Sequence, residues 1–211
     1  REIAAAGEHA EMCLAFIPAR HLLSCGGSGG TVRIWHSGSG RELTRPSGHA
    51  DVVRALAFSP DGEQLASAAD DREVVVWESR TGRLIRKIYC GKEDGDTCWA
   101  LAFSPDGKTL ALAVRNRIRL VNLATGRDRR VFSGHRERIY SLAYSPDGKR
   151  LASAGKDGTV RLWYAQTGRE LITLEGHGYW ITSVVFDRKG QLLASSSRDG
   201  TVRVWLAKEW R

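Results

Sequence analysis

Histidine, serine and aspartate recur together in three places: His49, Ser67 and Asp71; His135, Ser153 and Asp157; His177, Ser195 and Asp199. Each histidine stands 18 residues before its serine and 22 before its aspartate. An imidazole held between a hydroxyl and a carboxylate is the machinery of nucleophilic acyl transfer. Three features turn the reading away from catalysis. The set occurs three times, whereas an enzyme needs one site. A tryptophan follows each serine by ten residues, as Trp77, Trp163 and Trp205, and a buried indole N–H needs an acceptor. Nothing resembling a nucleophile elbow with an oxyanion hole flanks any of the serines. The expectation is no catalytic residue, no cofactor, no metal ligand and no enzymatic function. A set that recurs with its own tryptophan points to a role in maintaining the fold rather than in chemistry.

The elements that must hold such a quartet are short strands. Between Gly134 and Gly168 lie three alternating apolar runs, Ile139–Tyr144, Arg150–Ala154 and Thr159–Trp163. Pro146-Asp147-Gly148 and Asp157-Gly158 separate them. Asp-Gly between β-rich runs signals a tight hairpin of type I′, in which both central residues have positive φ. The stretch therefore reads as a three-stranded antiparallel meander.

The meander repeats. Trp35 and Trp77 are 42 residues apart, as are Trp163 and Trp205. One unmarked copy lies between the pairs, where Arg117–Gly126 matches Thr159–Gly168 with Val121 in the tryptophan's place. A period near 42 residues with four short strands per copy is the signature of a propeller blade. Five copies, approximately 1–40, 41–82, 83–126, 127–168 and 169–211, fill one domain over 1–211. Each reads as an outer strand, a corner, then the meander. Copy one opens with Arg1-Glu2-Ile3 and has Glu8-His9 at its corner; copy three has Gly91-Lys92 there and Leu112 for the serine.

Gly-His, Ser-Pro-Asp-Gly, Leu-Ala-Ser, Asp-Gly-Thr-Val-Arg-Leu-Trp and Thr-Gly at fixed offsets resemble the WD-repeat β-propeller family over the whole chain. The residue after the tryptophan departs from that pattern, being His36, Glu78, Tyr164 and Leu206. The resemblance implies an all-β propeller of four-stranded antiparallel blades acting as a non-catalytic interaction scaffold. It also implies that indole, serine, imidazole and carboxylate form the quartet's bonded chain, and that partners dock on the face of the corners and network hairpins. Such propellers mostly close with seven blades. A start at a repeat boundary without methionine adds the expectation of a fragment of a larger propeller, or of self-assembly, over a native five-bladed ring.

On that face the expected partner-binding residues are Arg54, Trp99 and Tyr140 near the start of first strands, with Lys156 and Arg198 just before network aspartates. Tyr179 and Trp180 are aromatics that the repeat does not require. Trp, Tyr and Arg are the types that most often carry interface energy. The chain is basic at +8, and residues 115–138 carry eight arginines against Asp128 and Glu137. Arg115, Arg117, Arg136 and Arg138 of that stretch fall on turns at the proposed face. The partner expected is another protein or peptide with acidic character. Nucleic-acid or polyanion binding through 115–138 is the alternative, set second because basic faces are commonly solvated or protein-binding. No apolar run approaches the roughly 20 residues of a membrane-spanning helix. Cys13, Cys25, Cys90 and Cys98 show no metal-ligand spacing, and free thiols point to a reducing, cytoplasmic location.

Overall fold

The computed structural model describes residues 11–93 and 95–206. The opening strand at Arg1, the Glu8-His9 corner and the chain beyond Leu206 lie outside the described residues. The chain forms two compact units, Arg1–Cys98 and Trp99–Arg211. Unit one holds blade one, made of β1 (Glu11–Ile17), β2 (Leu22–Gly27), β3 (Val32–His36) and β4 (Arg41–Thr44). Its blade two is β5 (Val53–Phe58), β6 (Gln64–Ala69), β7 (Glu73–Glu78) and β8 (Leu84–Tyr89). In unit two, blade three is β9 (Cys98–Phe103), β10 (Thr109–Val114), β11 (Arg117–Asn122) and β12 (Asp128–Ser133). Blade four is β13 (Ile139–Tyr144), β14 (Arg150–Gly155), β15 (Val160–Tyr164) and β16 (Glu170–Leu174). Blade five shows β17 (Ile181–Phe186), β18 (Leu192–Ser197) and β19 (Val202–Leu206). The fourth strand of each complete blade is supplied by the opening of the next repeat.

The runs expected in blade four are its strands to within a residue or two. The turn after β14 is not the expected type I′. Gly158 has φ 73°, but Asp157 is not among the residues with positive φ. The turn closes through Gly158 N donating to Gly155 O at 3.2 Å, around Lys156 and Asp157. A right-handed Asp157 aims its carboxylate back at the corner, where it accepts from His135 and from the backbone N of Arg136 at 3.1 Å. That double acceptance favours this turn over the mirror-image one.

A second departure from ideal strands recurs at the start of the meander. The register shifts between Val53 and Ala55, between Ile139 and Ser141, and between Ile181 and Ser183. Arg54, Tyr140 and Thr182 are therefore bulge residues, unpaired in the ladder and re-aimed out of strict alternation.

Within each unit the core lies between consecutive blades. The third strand of one blade presents an apolar pair, which the first strand of the next blade covers. Within unit one, Val32 and Ile34 pack with Leu56 and Phe58. Within unit two, Ile118 and Leu120 pack with Leu142 and Tyr144, and Val160 and Leu162 with Val184 and Phe186. Blade three has hydrocarbon at two of the quartet's four positions, Leu112 for the serine and Val121 for the tryptophan, both fully buried. With the indole and the hydroxyl both gone, neither leaves the other without its partner.

Candidate partner-binding site

The three quartets are complete. His49 Nδ1 donates to Asp71 at 2.8 Å, Ser67 Oγ donates to His49 Nε2 at 2.7 Å, and Trp77 Nε1 donates to Ser67 Oγ at 2.7 Å. The same bonds are 2.8, 2.7 and 2.8 Å in the His135 set, and 2.9, 2.9 and 3.0 Å in the His177 set. Burial opposes ionisation of Asp157, but hydrogen bonds from His135 and Thr159 outweigh it and hold the carboxyl well below the usual carboxylate range. The Thr201 hydroxyl, with His177 after it, does the same for Asp199. The geometry of Ser, His and Asp matches a hydrolytic triad, yet Ser67 and Ser153 are 0% exposed and Ser195 is 2% exposed. The indole N–H donates to the serine oxygen in each set. The arrangement locks corner to hairpin.

That lock positions a surface site. In blade four, Lys156 N donates to Arg138 O at 2.8 Å, and in blade five Arg198 N donates to Trp180 O at 2.9 Å. Corner and hairpin residues are thereby held side by side. Gly155 allows the approach, because a Cβ there would lie 2.2 Å from Arg138 O.

Across unit two the side chains form a continuous band. The Trp99 and Tyr140 rings meet edge-on, with centroids 5.8 Å apart and planes at 70°. Tyr140 lies 6.0 Å from Trp180, which stacks on Tyr179 at 5.3 Å with planes 3° apart. Cations sit over the rings. Arg138 Cζ is 4.6 Å from the Trp99 centroid, while Lys156 Nζ and Arg198 Cζ are 5.4 and 5.0 Å from that of Trp180. Lys156 also pairs with Glu137 at 3.3 Å. Trp99, Tyr140 and Trp180 are half-buried, and Tyr179 is 51% exposed. Half-buried aromatics with an open face present rigid area at low entropic cost, and the cations prefer ring faces that leave their N–H donors outward. Seven of the residues expected from the sequence thus meet in one place.

The others are placed differently. Arg54, in unit one, is bound to the Asp70 carboxylate. Arg115 takes φ 52° in the β10–β11 turn and its carbonyl accepts from Ile139 N at 2.8 Å. Arg117 and Arg136 are exposed at the same end of the strands as the band. The rest of the basic stretch is not a single surface. Arg119 pairs with Asp128 at 3.1 Å, and Arg129 donates to Thr109 at 3.1 Å.

Sequence reasoning missed a cleft of about 650 Å³ at the other end of these strands, lined by Asp106, Arg129, Arg130, Tyr144 and Gln166 among others. Burial, then the Asp106 charge, pushes the Tyr144 phenol well above its usual range. The cleft exists because two turns from different blades leave room between them, which no local pattern records. All four cysteines are free thiols, three of them buried, and among the described residues no group of three or more His, Cys, Asp or Glu is arranged to hold a metal. Among the described residues no helix is long and apolar enough to cross a membrane.

The family described as WD domain, G-beta repeat matches residues 7–36, 40–78, 126–164 and 168–205. The unmatched stretch contains copy three, where Leu112 and Val121 replace the quartet's serine and tryptophan. Among similar proteins, a WD repeat-containing protein SL1-17 of Schistosoma mansoni is 42% identical over 72 residues, 34% of this chain and 24% of that protein. Coronin-7 of Mus musculus is 43% identical over 65 residues, 31% of this chain and 7% of that protein. A ribosome biogenesis protein BOP1 homolog of Drosophila ananassae is 40% identical over 79 residues, 37% of this chain and 10% of that protein. The aligned stretches thus span less than a quarter of these relatives' length. With matched repeats over more than half of its residues and three quartets in place, the chain belongs to the WD-repeat family of β-propellers, whose members generally serve as protein-interaction scaffolds.

Proposed function

We propose that this chain is a non-catalytic scaffold that binds a carboxylate-bearing protein segment along the Trp99–Tyr140–Trp180–Tyr179 band. The observation that carries the reading is the series of four rings with Arg138, Lys156 and Arg198 against them. A peptide backbone and its apolar side chains lie on the rings, while its carboxylates take the outward guanidinium donors. Free thiols favour the cytoplasm as its setting. The test is affinity capture with the chain as bait, followed by titration of the captured segment against variants. Trp180→Ala and Tyr140→Ala should each weaken it by about 30-fold or more, the range of an interface hot spot. Arg54→Ala should leave it unchanged. Unaltered affinity in both aromatic variants removes the band as the site.

A second reading has one observation in its favour. Arg117 and Arg136 are exposed, and neither has an ion pair among the described residues. A polyanion bound there would be lost steeply with salt, as released counterions require. It would also be lost on neutralising Arg115, Arg117, Arg136 and Arg138, and keep its affinity in Tyr140→Ala.

A further inference from the structure

Consecutive blades inside each unit meet by one repeated device. The receiving pair on the third strand is sealed by the covering pair on the next blade's first strand. Val32, Ile34, Ile118, Val160 and Leu162 are 0% exposed, and Leu120 is 4% exposed. Their covers are Leu56 with Phe58, Leu142 with Tyr144, and Val184 with Phe186.

Two faces have the same chemistry and stand exposed, without a cover among the described residues. On blade five the receiving pair is Val202 and Val204, exposed at 69% and 60%, with Val185 in register across Ala194 and exposed at 54%. On blade one the covering pair is Leu14 and Phe16, exposed at 70% and 56%. A branched aliphatic pair two residues apart, open on one face of a sheet, is what the other blades bury completely. A Leu-x-Phe pair is what unit one uses to bury it. One chain therefore carries both halves of a contact that it makes between its own neighbouring blades.

We propose that a second copy of this chain supplies the missing cover, with Leu14 and Phe16 of one copy laid on Val202 and Val204 of the next. The contact is heterologous, so each association leaves one face free at either end and the assembly grows beyond a pair until it closes. Exposed apolar faces of this kind mark association surfaces. The net charge of +8 opposes the approach of copies, so added salt favours assembly. Salt acts in the opposite direction on any carboxylate partner at the aromatic band, and the proposal does not depend on that reading.

Sedimentation of the chain from sub-micromolar to tens of micromolar tests it, together with two variants whose changes fall on exposed side chains. The wild-type mass should rise with concentration and with salt. Val202→Glu/Val204→Glu alone and Leu14→Glu/Phe16→Glu alone should each be monomeric, because each lacks one half of every contact. Mixed in equal amounts they should form a dimer and nothing larger, through the one intact face on each. Hydrogen exchange of the β19 amides should slow with concentration in the wild type, which reads the contact without substitution. A wild-type chain that stays monomeric throughout overturns the proposal. So does a variant that still assembles alone, or a mixture of folded variants that stays monomeric.

Discussion

Replacing Ser153 by alanine removes one oxygen atom on which two buried groups depend. Trp163 Nε1 donates to that oxygen at 2.8 Å, and His135 Nε2 lies 2.7 Å from it. Trp163 is 2% exposed and the His135 side chain 0%, so water does not replace the hydroxyl. His135 has no alternative tautomer, because Asp157 holds its Nδ1 proton at 2.8 Å. Two stranded buried groups at about 1–3 kcal/mol each give a loss of about 2–5 kcal/mol after partial relaxation. A chain of two units does not license a single global unfolding free energy, so the measurement is hydrogen exchange of the β14 and β15 amides. Protection there should fall by about 30-fold to about 5,000-fold, at tenfold per 1.4 kcal/mol, while β6 and β7 in unit one are unchanged. A double-mutant cycle with Trp163→Phe should show a coupling of about 1 kcal/mol or more, since each change removes the same bond. Protection within about threefold of wild type would refute the reasoning and show that the quartet contributes no more than its packing.

Acid should unlock blade four. The Asp157 carboxyl is held below its ordinary value of 3.8 in the folded chain, so the unfolded chain binds protons first as pH falls. The contribution is complete above that ordinary value and is lost as pH drops from there toward the folded one. Exchange in β14 should accelerate over that window, and Asp157→Asn should flatten the dependence. At the matching turn of blade two, Arg72 takes φ 67° where blades one, four and five have Gly30, Gly158 and Gly200 at 65°, 73° and 84°. Relief of about 1–2 kcal/mol of left-handed strain, less the greater freedom of glycine in the unfolded chain, predicts that Arg72→Gly stabilises its hairpin by up to about 1 kcal/mol, read as slower hydrogen exchange of the β6 and β7 amides. A clear loss would show that the 3.2 Å bond from Arg72 to Lys92 O matters more than the strain.

The outward side chains of the band were legible one by one, because Tyr179 and Trp180 stand where the repeat asks for no aromatic and Arg138 stands on a corner. Their meeting was not. Trp99, Tyr140 and Trp180 are separated by about 40 residues each and touch only because neighbouring blades bring the starts of their first strands and a corner residue side by side. Arg54 occupies the position equivalent to Tyr140 and looked equally available. A carboxylate at residue 70, where blade four has Lys156, binds it instead.

The strands, their order within each blade and the quartets follow from sequence alone, because they rest on short-range patterns: alternation, turn residues, and donors and acceptors at constant offsets. A period of two and a recurring Asp-Gly need no knowledge of distant contacts. The bulge that turns Tyr140 outward, the turn that Asp157 adopts, the cleft beside Tyr144 and the bare faces at Leu14 and Val202 depend on what packs against each strand. A side chain's exposure is set by its neighbour across the blade interface, and only the tertiary structure says whether that neighbour is there.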